Sequence, residues 1–226
     1  MPQSHPQLPS RANAILVIGA GELGTAILQA LTSHPLYNAT TTQITLVVRP
    51  STLTNPSPEK LQQHTTLRNQ GIALIGGDIE SSHLDELTTL FRPYTSVLHA
   101  GGMTSEPGTM LKVTQAVLSA EVEYYIPWQH GVDYDAITRH GGQGMFAEQI
   151  DVRDLLRSQT STQWTIISCG IFMSFLFEEY WGVVVPLADD KIQVTALNSW
   201  DDMITTTTAE DIGRVTAELV YDGTPL

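Results

Sequence analysis

The sequence predicts an α/β fold built on a doubly wound parallel sheet. Short apolar runs alternate with stretches of helical periodicity along residues 14–167, the order expected when helices cover both faces of such a sheet. One junction carries Gly19-Ala20-Gly21-Glu22-Leu23-Gly24 between an apolar run and a helical stretch. The chain has 226 residues, 42% of them hydrophobic and 15% charged, enough apolar material for one domain and a small appendage.

Residues 1–13 are polar and proline-rich and read as a disordered leader. Ala14–Ile18 is the first buried strand, and Leu23, Ala26, Ile27, Ala30 and Leu31 place a helix directly after the glycines. Ile44–Val48 is a second strand, ending at Arg49-Pro50. The Ser, Thr and Pro of 51–58 predict a loop, and 59–70 a helix. Ile72–Ile75 is a third strand, closed by Gly76-Gly77-Asp78. A short helix near 82–90 leads to the strand Ser96–His99. Pro107 suits the first turn of a helix that turns Met110, Leu111, Val113, Thr114, Val117 and Leu118 inward. Tyr124–Ile126 is a fifth strand stopped by Pro127, 144–159 a long helix, and Thr165–Ile167 a sixth strand. Beyond Cys169 the pattern loosens, with a β-like stretch at Ile192–Thr195. The last helix starts at Ala209, capped by Thr208, with Ile212, Val215 and Leu219 on one face.

The net charge of −13 (11 Lys+Arg against 24 Asp+Glu) leaves no basic stripe for nucleic acid. No apolar run approaches the ~20 residues that cross a bilayer, and the N-terminus lacks a signal-peptide centre. A single cysteine forms no internal disulfide and fits a reducing compartment. These features predict a soluble cytoplasmic protein.

The glycine sequence carries the chemistry. Between strand and helix, Gly19 allows a tight turn, Gly21 lets main-chain amides approach a pyrophosphate, and Gly24 lets the helix pack on the sheet. The helix start, with the amides of Glu22 and Leu23, adds partial positive charge. The expected ligand is therefore a nicotinamide dinucleotide on a Rossmann-type core. Arg49 stands where an acid would hydrogen-bond the ribose of NAD. An arginine there can pair with the 2′-phosphate of NADP, so NADP is favoured over NAD; the alternative is an ordinary surface cation. Asp78 either faces the adenine or only closes its own turn. Ala100 and Gly101, after the fourth strand, would let ribose and nicotinamide approach, and His99 reads as a satisfied interior histidine.

Catalytic residues are less visible. None of the seven tyrosines has a lysine four positions on, and the lysines are Lys60, Lys112 and Lys191. The loop Trp128-Gln129-His130-Gly131-Val132-Asp133-Tyr134 follows the fifth strand and should border the nicotinamide. His130 and Tyr134 are the candidate general acids; the alternative is a loop that only lines a pocket. Cys169 reads as a packed thiol. No nucleophile elbow and no metal-ligand spacing occur.

Ile15–Gly24, Val47–Arg49, Ile126–Tyr134, Phe146–Arg153, Trp164–Phe172 and Thr206–Gly213 together resemble the NmrA-like, isoflavone-reductase-like branch of the atypical short-chain dehydrogenases. Pro127-Trp128-Gln129 and 175–179 resemble its fungal members. The resemblance implies a Rossmann domain over 14–170 and a small, partial substrate domain over 171–226, its last helix returning to the core. It implies NADP at Gly19, Gly21, Gly24 and Arg49. Family reductases carry a lysine in the pattern Phe-x-x-Lys-x-x-x-Arg, and here Gln149 takes that position between Phe146 and Arg153. Glutamine hydrogen-bonds a ribose or a carbonyl but moves no proton near pH 7. The chain is also shorter than the family usually runs, which implies apolar surface left for a protein partner or a second copy to cover.

Two function classes follow. One is an NADP-dependent oxidoreductase acting on a small apolar or aromatic carbonyl compound, with Trp128, Gln129, Phe172 and Phe175 on the substrate side; for each aromatic the alternative is plain core packing. The other is a redox-sensing regulator that binds the dinucleotide without turnover and signals to a protein partner. A non-redox rearrangement in the same pocket is a third reading.

Overall fold

The computed structural model describes residues 10–102 and 105–222. Its centre is a parallel sheet of β1 (Ala14–Ile18), β2 (Gln43–Val48), β3 (Ala73–Gly76), β4 (Ser96–His99), β5 (Tyr124–Ile126) and β6 (Gln163–Trp164). The spatial order is β3-β2-β1-β4-β5-β6. The order reverses between β1 and β4, so the chain runs outward in both directions from a crevice at the carboxyl ends of these two strands. That crevice is where ligands of such sheets bind.

Each strand alternates its side chains between two apolar layers. Ile15 and Val17 face one, with Leu23, Ile27, Leu28 and Leu31 of α1 (Glu22–Ser33) and Ile212 and Val220 of α8 (Ala209–Tyr221). Leu16 and Ile18 face the other, with Leu87 and Phe91 of α4 (Leu84–Phe91), Val113 and Val117 of α5 (Thr109–Ser119), and Val152 and Leu156 of α7 (Ala147–Arg157). Burial on both faces is why β1 reads as an unbroken apolar run. α8 lies so close to α1 that a Cβ on Gly213 would sit 2.7 Å from the Ala26 carbonyl oxygen.

Between β2 and β3 run α2 (Pro50–Thr54) and α3 (Pro58–Asn69), and α6 (Tyr134–Ile137) is a single turn after β5. Past β6 the chain leaves the sheet. β7 (Ile171–Phe172) pairs in parallel with β10 (Thr206–Thr207), and β8 (Val184–Pro186) forms an antiparallel pair with β9 (Ile192–Val194).

Several boundaries differ from expectation. Of the leader expected over 1–13, residues 1–9 lie outside the described residues; Ser10–Ala12 form a 3-10 turn and Ala12 is fully buried. The loop expected over 51–58 contains α2, where Pro50 supplies a preset first turn. Pro107 lies before α5, because Gly108, with φ of 88°, holds the N-cap position in a left-handed conformation. Leu111 and Leu118 of α5 are only half-buried. The long helix expected over 144–159 is limited to Ala147–Arg157, since Gly142 and Gln143 before it take left-handed angles. The sixth strand pairs at 163–164 instead of 165–167, because its neighbour β5 is three residues long and ends at Pro127, which has no N–H to offer. Val215 faces solvent; α8 buries Ala209, Ile212, Gly213, Thr216 and Val220 instead.

Candidate functional site

A cleft of about 350 Å³ opens at the carboxyl ends of β1, β2, β3 and β4. Its floor carries little side chain because the backbone needs the room. Gly19 has φ of 101°, and a Cβ there would meet the Gly101 nitrogen at 2.9 Å. A Cβ on Gly24 would sit 2.0 Å from the Gly19 carbonyl oxygen, so the turn and the first helical turn touch directly. Gly21 differs: a Cβ there would meet nothing within 4 Å, and its open side belongs to the cleft. Gly21 is the N-cap of α1 and no side chain caps that helix, so its first amides are left to an external acceptor. Leu23, Gly24 and Ala100 are buried.

The rim is polar. Arg49 ends β2 with its side chain 68% exposed, 3.5 Å from a Glu80 carboxylate oxygen, an ion pair weak enough to yield to a stronger anion. The Asp78 carboxylate accepts from the amides of Glu80 (3.0 Å) and Ser81 (3.3 Å), so it closes its own turn while lining the cleft. Burial alone would raise the Asp78 pKa; the Ser81 side chain, then those amides and Arg49, hold it below the usual carboxylate range. Three residues of α3 that no motif marks, Lys60, Gln63 and His64, also line the cleft. Lys60 donates to the Gln63 side-chain oxygen (3.0 Å), and Gln63 donates to the Ala20 carbonyl (3.2 Å), which ties α3 to the glycine turn. No sequence spacing signals this contact.

At the other end Gly101 and Gly102 follow β4. A Cβ on Gly102 would run into Met110 (2.8 Å) and Trp128 (2.9 Å), so the Trp128 indole backs the cleft wall. His99 and His130 are both buried, and neither ring nitrogen of either makes a hydrogen bond among the described residues. Burial, then the nearby His130, drives the His99 pKa to about 3; burial drives that of His130 to about 4. His99 is therefore interior, and the Gly101 backbone offsets only part of the cost of its burial. The Tyr134 hydroxyl donates to the His130 carbonyl at 2.7 Å, and burial raises its pKa to about 12. This tyrosine secures the loop. Gln129 is fully buried and joins Gln149 to Arg153.

An aromatic series leaves this end. His130 meets Phe172 edge-on (6.2 Å between centroids), Phe172 meets Phe175 (5.5 Å), and Phe175 stacks on Trp181 (5.8 Å). The carboxylate of Glu22 accepts from the Ser174 hydroxyl at 2.9 Å, which fastens the start of α1 to the same segment. Thus Gly19, Gly21, Arg49, Asp78 and Gly101 share one cleft, while His130, Phe172 and Phe175 form a neighbouring apolar wall and Tyr134 and Gln129 lie within the protein.

No family model matches the chain. A curated NmrA-like family domain-containing oxidoreductase of Gibberella moniliformis is 46% identical over 208 residues, covering 92% of this chain and 67% of that protein. Among solved structures, an isoflavone reductase has a TM-score of 0.67 at 19% identity, covering 92% of this chain and 65% of the other. A leucoanthocyanidin reductase–NADPH complex from Vitis vinifera has a TM-score of 0.63 at 17% identity, covering 90% and 63%. An NADPH-dependent quinone oxidoreductase complexed with NADPH, from Escherichia coli, has a TM-score of 0.61 at 15% identity, covering 93% and 65%. At these identities the solved structures share the fold. The chain spans about two thirds of the length of these relatives.

Proposed function

The chain belongs to the NmrA-like family, and on that premise we propose that it binds NADP(H) at the glycine turn and reduces a small apolar or aromatic carbonyl compound. The observation that carries this reading is the cleft floor at Gly19, Gly21 and Gly101. Gly19 is forced by its positive φ and by contact with the Gly101 backbone, Gly101 packs against it at ordinary contact distance, and Gly21 opens on empty space beside an uncapped helix start. A dinucleotide diphosphate fits that combination of free amides and missing side chains. Arg49 and Lys60, both on the cleft lining, are the cations available to a 2′-phosphate. The relatives named for NADPH support the same choice.

The bound nicotinamide would supply a hydride. This chain's residues would bind and orient: Gly101 and Gly102 leave room beside the ring, and Trp128, Phe172 and Phe175 exclude water on the substrate side. With the Tyr134 hydroxyl bound to its own loop and the buried His130 ring held neutral, these two residues would line the pocket, and water would supply the proton.

A redox sensor that binds without turnover is the second reading. One observation favours it: His99 and His130 are held neutral at pH 7, Tyr134 is bound to its own loop, and Gln149 carries no charge, so this end of the site lacks a group with a pKa near the working pH.

Titration with NADPH and NADP+, followed by an absorbance assay over aldehydes, ketones and quinones, separates the two. Saturable binding with turnover supports the reductase, binding without oxidation of any member supports the sensor, and no binding sinks both. Arg49→Ala should weaken NADP(H) by about tenfold or more, the loss expected for a charge-assisted contact, and leave NAD(H) little changed. Equal losses would remove Arg49 from the phosphate site.

A further inference from the structure

We infer that His64 takes up a proton when the 2′-phosphate of NADP(H) enters the cleft, so that the choice of NADP(H) over NAD(H) is tied to pH. The inference deepens the NADP(H) reading and rests on it for the ligand.

The observation is a buried histidine on a ligand cleft with no partner in the protein. His64 is only 3% exposed, yet it lines the cleft. Its ring makes no hydrogen bond among the described residues, and its nitrogens are not among the polar atoms sealed from solvent. Buried polar groups ordinarily meet a protein partner. Here the cleft is the side from which one can come.

The place is that of the adenosine phosphate. His64 stands one helical turn after Lys60 on α3, so the two share a face. Both line the cleft with Arg49 at the end of β2 and Thr52 of α2. Gln63, between them in sequence, donates to the Ala20 carbonyl, which holds α3 beside the glycine turn. In such a sheet the adenosine ribose lies just past the second strand.

The charges explain the direction of the change. The charged residues of the cleft lining are Arg49, Lys60, Asp78 and Glu80. Arg49 is paired with Glu80, and Asp78 accepts from the amides of its own turn. Burial, then Arg68 and Lys60 of the same helix, keep the His64 pKa below its ordinary value. The free ring is therefore largely neutral at pH 7.5. A phosphate dianion reverses the balance, because it offers the ring an acceptor and two negative charges. The phosphate itself would give the opposite signal. Its second pKa is about 6, and the cations beside it lower that value, so it can only release protons on binding.

The test uses the full chain. Calorimetric titrations with NADP+ and with NAD+ at pH 7.5, in buffers of different ionisation enthalpy, give the protons exchanged per ligand bound. We expect net uptake with NADP+ and none with NAD+. NADP+ affinity should rise about threefold from pH 8 to pH 7, while NAD+ affinity stays level. His64→Gln keeps a hydrogen-bonding side chain that cannot be charged, and should remove both the uptake and the pH dependence. His64→Leu, which suits a buried position, makes the same test should the glutamine variant fail to fold. Zero exchange or net release with NADP+ in the wild type overturns the inference whatever the variants do. Uptake that persists in a folded variant assigns the proton to another group and also overturns it. Binding without uptake leaves the NADP(H) reading standing, whereas no binding of NADP+ at any pH sinks both.

Discussion

At the scale of single residues, the glycines of one motif do different work, and substitution separates them. Gly24→Ala puts a methyl 2.0 Å from the Gly19 carbonyl oxygen. It should cost about 1–3 kcal/mol or more, seen as a lower melting temperature, because backbone on both sides has to move. Gly21→Ala meets nothing within 4 Å, so its melting temperature should stay near wild type while NADP+ affinity drops in calorimetry. If both variants lose stability equally, the open side of Gly21 is not a ligand surface. The glycine spacing was legible in the sequence because it lies within six consecutive residues. Lys60 was not, because only the packing of α3 beside the turn brings it to the cleft.

At the scale of elements, α5 and α7 are held together at their starts. Gly108 cannot cap α5 with a side chain. Instead, the Glu148 carboxylate, from the first turn of α7, accepts from the amides of Gly108 and Leu111, both at 2.9 Å. A carboxylate there also answers the positive end of the helix. Glu148→Ala should therefore cost roughly 1 kcal/mol, the usual loss of a cap, and lower the melting temperature by about 2–4 °C. Glu148→Gln, which keeps an acceptor, should lose less; equal losses would mean the charge alone matters. The spacing of apolar residues showed both helices in the sequence. The cap between them joins positions 37 and 40 apart and has no local signature. The sixth strand was misplaced for a similar reason: its register belongs to β5, not to its own apolar run.

At the scale of the whole molecule, two buried histidines make stability depend on pH. Both have folded-state pKa values far below 6.5, about 3 for His99 and about 4 for His130, with burial as the leading cause. Between those values and 6.5 the unfolded chain binds more protons than the folded one, so stability rises with pH there. Their contribution is complete above about 6.5 and is lost as pH falls toward 4 and below. Asp135 acts in a lower window. Its hydrogen bond from Arg157, then those around Arg153, hold its pKa near 2, so its contribution is lost only below about 4. Thermal melts from pH 8 to pH 4 should show a fall that is shallower in His130→Phe, which suits the apolar wall beside Phe172. An identical slope would show that His130 is not neutral in the folded chain. The comparison matters because a net charge of −13 also relaxes on acidification, in wild type and variant alike.

The sequence by itself determined the alternation of the first five strands with helices, the buried first strand, the glycine turn and the cation after the second strand. Each is written in neighbouring residues, as periodicity or as a backbone requirement, and needs no distant partner to be read. Only the tertiary structure decided which polar groups meet. It buried the rings of His99 and His130, bound the Tyr134 hydroxyl to its own loop, and joined Arg153, Gln129 and Gln149 by hydrogen bonds. Hydrogen bonds act over about 3 Å, and the separation of two side chains from different elements is set by how those elements pack.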